Sequence, residues 1–234
     1  MIASQNRQLQ RCAIVSKTLS LSARVCQPHS RLSQASCLRS LRVYGMAERD
    51  KDYDKRWNNI WEAGLEPGQA FDASAASPAL LALIEQGKLE VRGKKVLVPG
   101  CGRGYDVIDF AKQGALSVKG MELVPEAVSS DFFEITAQHA YDIGYDYTFF
   151  CAMEPAMRRK WAQTWSSWLR PGGELVTLMF PVESEGREGP PWPVPVELYD
   201  DMLKPEGLYT LLDNSFTRTY LQQVPPEQCH KGRE

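Results

Sequence analysis

A chain of 234 residues is long enough for one domain of ordinary size, and 43% hydrophobic with 24% charged residues is a globular composition. A net charge of -2 offers nucleic acid no global field, and no run of about 18 apolar residues is present to span a membrane. Three scattered histidines and six cysteines without a Cys-x-x-Cys pair argue against a structural zinc and against a disulfide framework.

The charge is unevenly spread. Residues 1–45 hold seven basic residues, eight serines and no Asp or Glu, which leaves 20 basic against 29 acidic residues after them. Basic, serine-rich and acid-free composition is that of a mitochondrial transit peptide; the alternative is a translation start at Met46. Both readings set 1–45 outside the fold as a disordered or transit-like leader, with 46–234 as the domain. The expected location is cytoplasmic, or mitochondrial if the leader is translated and acts as a transit peptide.

Along the body, 51–64 reads as a helix with Trp57 and Trp61 on one face, closed by Gly64, Pro67 and Gly68. Ser77-Pro78 caps a second helix over 79–86. Residues 95–99 form a short apolar strand that runs into Gly100-Cys101-Gly102-Arg103-Gly104 and a helix over 105–113. Further strands are expected at 118–123 and 141–150. Pro155 opens a helix with the apolar stripe Met157, Trp161, Trp165 and Trp168, read as core; Pro171-Gly172-Gly173 turns it into a strand at 174–180. Strands alternating with helices predict an α/β fold with a largely parallel sheet.

Strand, Gly-x-Gly-x-Gly, then helix brings backbone close to a ligand at a helix N-terminus. Tyr105 stands where the dinucleotide fingerprint needs its third glycine, and no Gly-Lys-Ser/Thr follows for a phosphate-binding loop. Glu122, 22 residues after Gly100, ends the second strand, where an acid can accept the ribose hydroxyls of an adenosine-bearing cofactor. This pair leaves S-adenosylmethionine and NAD both open, beside a tight turn with a surface glutamate.

The stretch from Val96 to Asp106 resembles motif I of the thiopurine S-methyltransferase superfamily, nearest its thiol and halide methyltransferase branch. Residues 145–152, Pro171-Gly172-Gly173-Glu174-Leu175, Gly189-Pro190-Pro191-Trp192 and the entry Trp57 to Gly64 are similar to later motifs and to the N-terminal lid of that branch. The resemblance spans about 53–234 and implies a Rossmann-like class I methyltransferase sheet with helices on both faces. It also implies S-adenosyl-L-methionine as methyl donor, no metal, and a small thiol, hydrosulfide or halide acceptor. It places cofactor contacts at Trp57, Trp61, Gly100, Gly102, Glu122, Asp131, Phe132 and Tyr147. The proton acceptor falls on Asp106 and a substrate-side aromatic on Trp192. Indole faces would attract the sulfonium, and Asp131 with Phe132 would bracket the adenine. A carboxylate at 106 could instead fix the glycine loop or the amino-acid end of the cofactor.

Three departures stand out. Gly68 occupies the place of a third lid tryptophan, so looser lid closure is expected. Only 18 residues, 124–141, follow the second strand, enough for one crossover, with a segment expected to be missing between Ser130 and Asp131. The chain stops at Lys231-Gly232-Arg233-Glu234, which in relatives leads into a last strand lying between two others. The sheet is therefore expected to be open in its interior, and the alternative function is a catalytically impaired cofactor-binding or interaction protein.

Overall fold

The computed structural model describes residues 12–21, 51–122, 132–133, 138–182, 188–203, 214–231 and 233. Its strands are β1 (Ala13–Leu21), β2 (Lys95–Pro99), β3 (Ser117–Met121), β4 (Tyr141–Tyr147), β5 (Leu169–Met179) and β6 (Asn214–Gln223). The α-helices are α1 (Lys51–Glu62), α2 (Pro78–Glu85), α3 (Tyr105–Lys112), α4 (Arg158–Trp168) and α5 (Val196–Leu203). The six strands form one sheet in the order β3-β2-β4-β5-β1-β6. β2, β3, β4 and β5 are mutually parallel, and β1 is antiparallel to both its neighbours. This is the expected α/β, Rossmann-like architecture.

Two expectations are corrected by β1. Residues 13–21, assigned by composition to a leader outside the fold, form a strand, and that strand fills the interior of the sheet. It pairs with β5 from Ala13↔Met179 to Thr18↔Glu174, and with β6 from Ala13↔Gln223 to Leu21↔Asn214. Alternation explains the fit. Ala13, Val15 and Leu19 face the core on one side, Cys12 and Ile14 the core on the other. Lys17, on the first of these faces, is 2% exposed, yet its ammonium meets Asp200 of α5 at 2.8 Å and the Tyr199 carbonyl at 3.3 Å. Arg218 of β6 holds the other oxygen of Asp200 at 2.8 Å. A basic, serine-bearing strand is thus satisfied by partners far along the chain, which composition cannot reveal.

The remaining elements depart from the reading mainly at their ends. The helix expected from Pro155 starts with a 3-10 turn, Pro155–Met157, before α4. β4 stops at Tyr147, where Thr148 takes φ +61° and a 3-10 turn, Phe150–Ala152, follows. The turn at 171–173 lies inside β5: the register against β4 jumps from Tyr141↔Leu169 to Ile143↔Glu174, so 170–173 bulge from the ladder. α5 and β6 had no local signal strong enough to be assigned.

Each face of the sheet carries its own core. One centres on Trp161, Trp165 and Trp168 with Phe150, Tyr199 and Leu97, bearing out the tryptophan stripe as packing. The other joins Leu80, Leu83, Phe110, Val96, Val98 and Tyr145. Gly144 of β4 is where strand and indole come closest, since a Cβ there would lie 2.4 Å from the Trp165 ring. Gly144→Ala is therefore expected to lower stability by about 1–3 kcal/mol through overpacking. The check is a shift in urea midpoint at unchanged slope.

Candidate active site

The parallel strands β2, β3 and β4 end along one edge of the sheet, and a cavity of about 400 Å³ opens above it. That is within the usual range for small-molecule sites. The loop after β2 forms its floor. Gly100 has φ +58°, and a Cβ there would come within 2.6 Å of the Phe149 ring, so only glycine fits. The Gly102 N–H donates to Glu122 Oε2 at 2.8 Å, tying the loop to the residue after β3. A carboxylate has about four lone-pair sites, so this bond is compatible with accepting hydroxyls as well.

Asp106 lies in the first turn of α3, where the helix dipole favours a negative charge. The Ser77 N–H donates to its Oδ1 at 2.8 Å, and Ser77 itself caps α2 by accepting from the Leu80 N–H. Burial nevertheless pushes Asp106 up to about 6, with Asp109 adding to the rise; the Ser77 bond and the Arg233 charge oppose it.

Trp57 and Trp61 of α1 line the cavity. Both present edge contacts to Phe71, with centroids 5.7 Å apart in each case. Both indole N–H groups are buried without a protein partner, a condition that a polar ligand would relieve. The loop around Gly68 is held by Asp72, which accepts from the Gly68 and Ser74 N–H groups and pairs with Arg103 at 2.9 Å. Tyr147 closes β4 and stacks on His230, with centroids 5.8 Å apart.

Phe132 reaches the cavity but is only 3% exposed, wedged among Phe133, Phe149, Trp165 and Trp168 at 5.1–5.2 Å. Asp131, expected beside it at the adenine, lies outside the described residues. Trp192 is not brought to the cavity: its ring covers Gly189, its backbone N–H donates to the Cys151 carbonyl at 2.7 Å, and Pro190 and Pro191 form the wall instead.

Sequence reasoning missed Phe71, Phe149, Phe180, His230 and Arg233, all in the cavity wall. Phe71 was accessible from its place six residues before the cap of α2, between the lid and the next helix. Arg233 had no local signal, because its position depends on tertiary packing.

The sequence pattern of the thiopurine S-methyltransferase family matches residues 53–134 and 128–217, two stretches that overlap over 128–134, around the Ser130–Asp131 junction where a segment is expected to be missing. A probable thiol methyltransferase 2 of Arabidopsis thaliana is 39% identical over 178 residues, covering 68% of this chain and 76% of that protein. A thiocyanate methyltransferase 1 of Brassica oleracea is 34% identical, covering 64% and 72%. A thiopurine S-methyltransferase of Vibrio cholerae serotype O1 is 29% identical, covering 63% and 78%. With the sheet, the glycine loop and the matched stretches in agreement, the chain belongs to the thiopurine S-methyltransferase family, the S-adenosylmethionine-dependent S-methyltransferases.

Proposed function

We propose that the chain transfers a methyl group from S-adenosylmethionine to a small thiol, hydrosulfide or halide by in-line displacement. The observation that carries this reading is the joining of Gly102 to Glu122 at one end of a cavity whose wall also holds Asp106. The names of the plant relatives, thiol and thiocyanate methyltransferases, point to the same small sulfur nucleophiles. The residues fit the cofactor: a backbone cradle at Gly100 and Gly102, a carboxylate at Glu122, and two unpartnered indole N–H groups under α1. When bound, S-adenosylmethionine supplies an activated methyl on a sulfonium whose departing thioether needs no acid.

The protein's main task is alignment, which can contribute about 7–11 kcal/mol. The glycine loop and Glu122 fix the adenosine end, and the α1 indoles shield the reacting centre from water. A thiol of pKa near 8.5 is roughly 3% thiolate at pH 7, so proton removal gains at most about thirtyfold, or roughly 2 kcal/mol. At about 6, Asp106 stands far closer to a thiol than an ordinary aspartate would, and it is still mainly ionised at pH 7. It takes the acceptor's proton on its carboxylate; a halide needs no such step.

Calorimetry with S-adenosylhomocysteine and NAD tests the reading. S-adenosylhomocysteine is expected to bind more tightly, and tighter NAD binding would end the methyltransferase assignment. Glu122→Gln keeps an acceptor oxygen but removes the charge, so it should weaken S-adenosylhomocysteine binding by about 1 kcal/mol, roughly fivefold.

A further inference from the structure

We infer that Arg233 anchors the acceptor as a small anion, at the opposite end of the cavity from Glu122. The inference rests on the methyl-transfer reading and deepens it by assigning the acceptor's charge to one residue. The strand order supplies the geometry. Glu122 follows β3 and the glycine loop follows β2, whereas Tyr147 closes β4 and Phe180 follows β5. The Arg233 guanidinium lies over the rings of Tyr147 and Phe180, 5.0 and 5.5 Å from their centroids, and donates to the Phe71 carbonyl at 2.6 Å. An adenosine at the β3 end therefore leaves the β4–β5 end to the acceptor.

Charge supports the same assignment. Arg103, another cation in the wall, is paired with Asp72. Burial, together with the Arg233 charge, pushes His230 below its ordinary value, so this histidine is neutral near pH 7. Arg233 is 9% exposed, and its contacts are the Phe71 carbonyl, the Tyr147 hydroxyl and two ring faces, none with a formal negative charge. Among the described residues no carboxylate lies within ion-pair distance of it, although Asp106 is near enough to feel its field. A buried cation without a counterion is unfavourable, and a bound anion relieves the cost. The flanking rings favour a weakly hydrated monoanion, a thiolate, hydrosulfide or iodide, and holding the thiol as its anion lowers its pKa in place. The thiol of Cys12, the residue before β1, donates to the Arg233 carbonyl at 2.9 Å and ties the backbone at the anchor to that strand.

The same guanidinium chemistry could instead meet the carboxylate of the cofactor's amino-acid end, and the experiment separates the two. Iodide is titrated calorimetrically into the full chain saturated with S-adenosylhomocysteine, for the unaltered protein, Arg233→Lys and Arg233→Met. The expected result is an iodide Kd raised about 10- to 100-fold in Arg233→Met and less in Arg233→Lys, with S-adenosylhomocysteine affinity changed less than twofold. Iodide binding that is absent in the unaltered protein, or the same in all three, overturns the inference. So does a loss of S-adenosylhomocysteine affinity as large as the loss for iodide, which would hand Arg233 to the cofactor. If the unaltered chain fails to bind S-adenosylhomocysteine, the methyl-transfer reading falls. Iodide titrated alone into the same three proteins then decides the role of Arg233 by the same comparison. Arg233→Lys keeps the charge and guards against a variant that merely fails to fold.

Discussion

A protein made of residues 46–234 alone is expected to lose cooperative folding and to aggregate, whereas the full chain stays soluble. The strand β1 lies between β5 and β6 and pairs with both, so its removal orphans the facing ladders of two strands at once. Each buried backbone group left without a partner costs about 1–3 kcal/mol, against a total stability of about 5–15 kcal/mol. The apolar cover of Ala13, Ile14, Val15 and Leu19 goes with it, and Asp200 loses the ammonium of Lys17. A start at Met46, or cleavage near residue 45, would have the same effect. Urea denaturation and size-exclusion chromatography of the two proteins decide the matter; equal midpoints and equal monomer yield would show that β1 is dispensable. Val15→Pro in the full chain is the graded version, since a proline within a central strand removes a ladder bond, and it should destabilise without abolishing the fold.

Asp106→Asn is expected to slow thiol methylation near pH 7 by up to about thirtyfold and to spare iodide methylation. The difference between the two acceptors isolates proton removal from positioning. Above the thiol's own pKa the defect should fade, and in the unaltered enzyme thiol turnover should fall additionally as pH drops through about 6, where Asp106 takes up its proton. Equal loss with both acceptors at every pH would assign Asp106 to the glycine loop or cofactor instead. Stability offers a second readout. The folded-state value lies above the ordinary 3.8, so the folded protein binds more protons than the unfolded chain between about 4 and 6. Stability therefore falls as pH rises through that window and is level above it. Asp146, buried beside the Trp161 indole N–H at 2.7 Å and also pushed up to about 6 by burial, contributes the same sign. The difference between Asp106→Asn and the unaltered protein, not the slope of either alone, reports on Asp106.

What was legible in the sequence follows one rule: features set by neighbours a few residues away were readable. Gly100, Gly102 and Asp106 belong to one strand-loop-helix unit, Trp57 and Trp61 share a helical face, and Glu122 falls at a strand end one crossover later. Ser77-Pro78 caps α2 as its residue types require. Features set by distant partners were not readable. Lys17 argues against a buried strand until Asp200 is known to face it, and Arg233 has no readable role until Tyr147, Phe180 and Phe71 surround it. Trp192 shows the converse: a motif placed the residue near the site, but close packing over Gly189 turned its ring aside.

The bond from Cys12 to the Arg233 carbonyl spans 221 positions, and the Val224 N–H also donates to the Cys12 carbonyl at 3.0 Å. The backbone that carries Arg233 at the cavity is therefore fastened to a segment more than two hundred residues earlier. At a synthesis rate of about 5–20 residues per second, β1 waits about 8–30 s before β5 has been made, and longer for β6. During that interval an apolar strand with unpaired edges is exposed, and pairing over such long sequence separations is slow even once the chain is complete. A chaperone that holds extended apolar segments is therefore expected to raise the yield of the full chain more than that of 46–234.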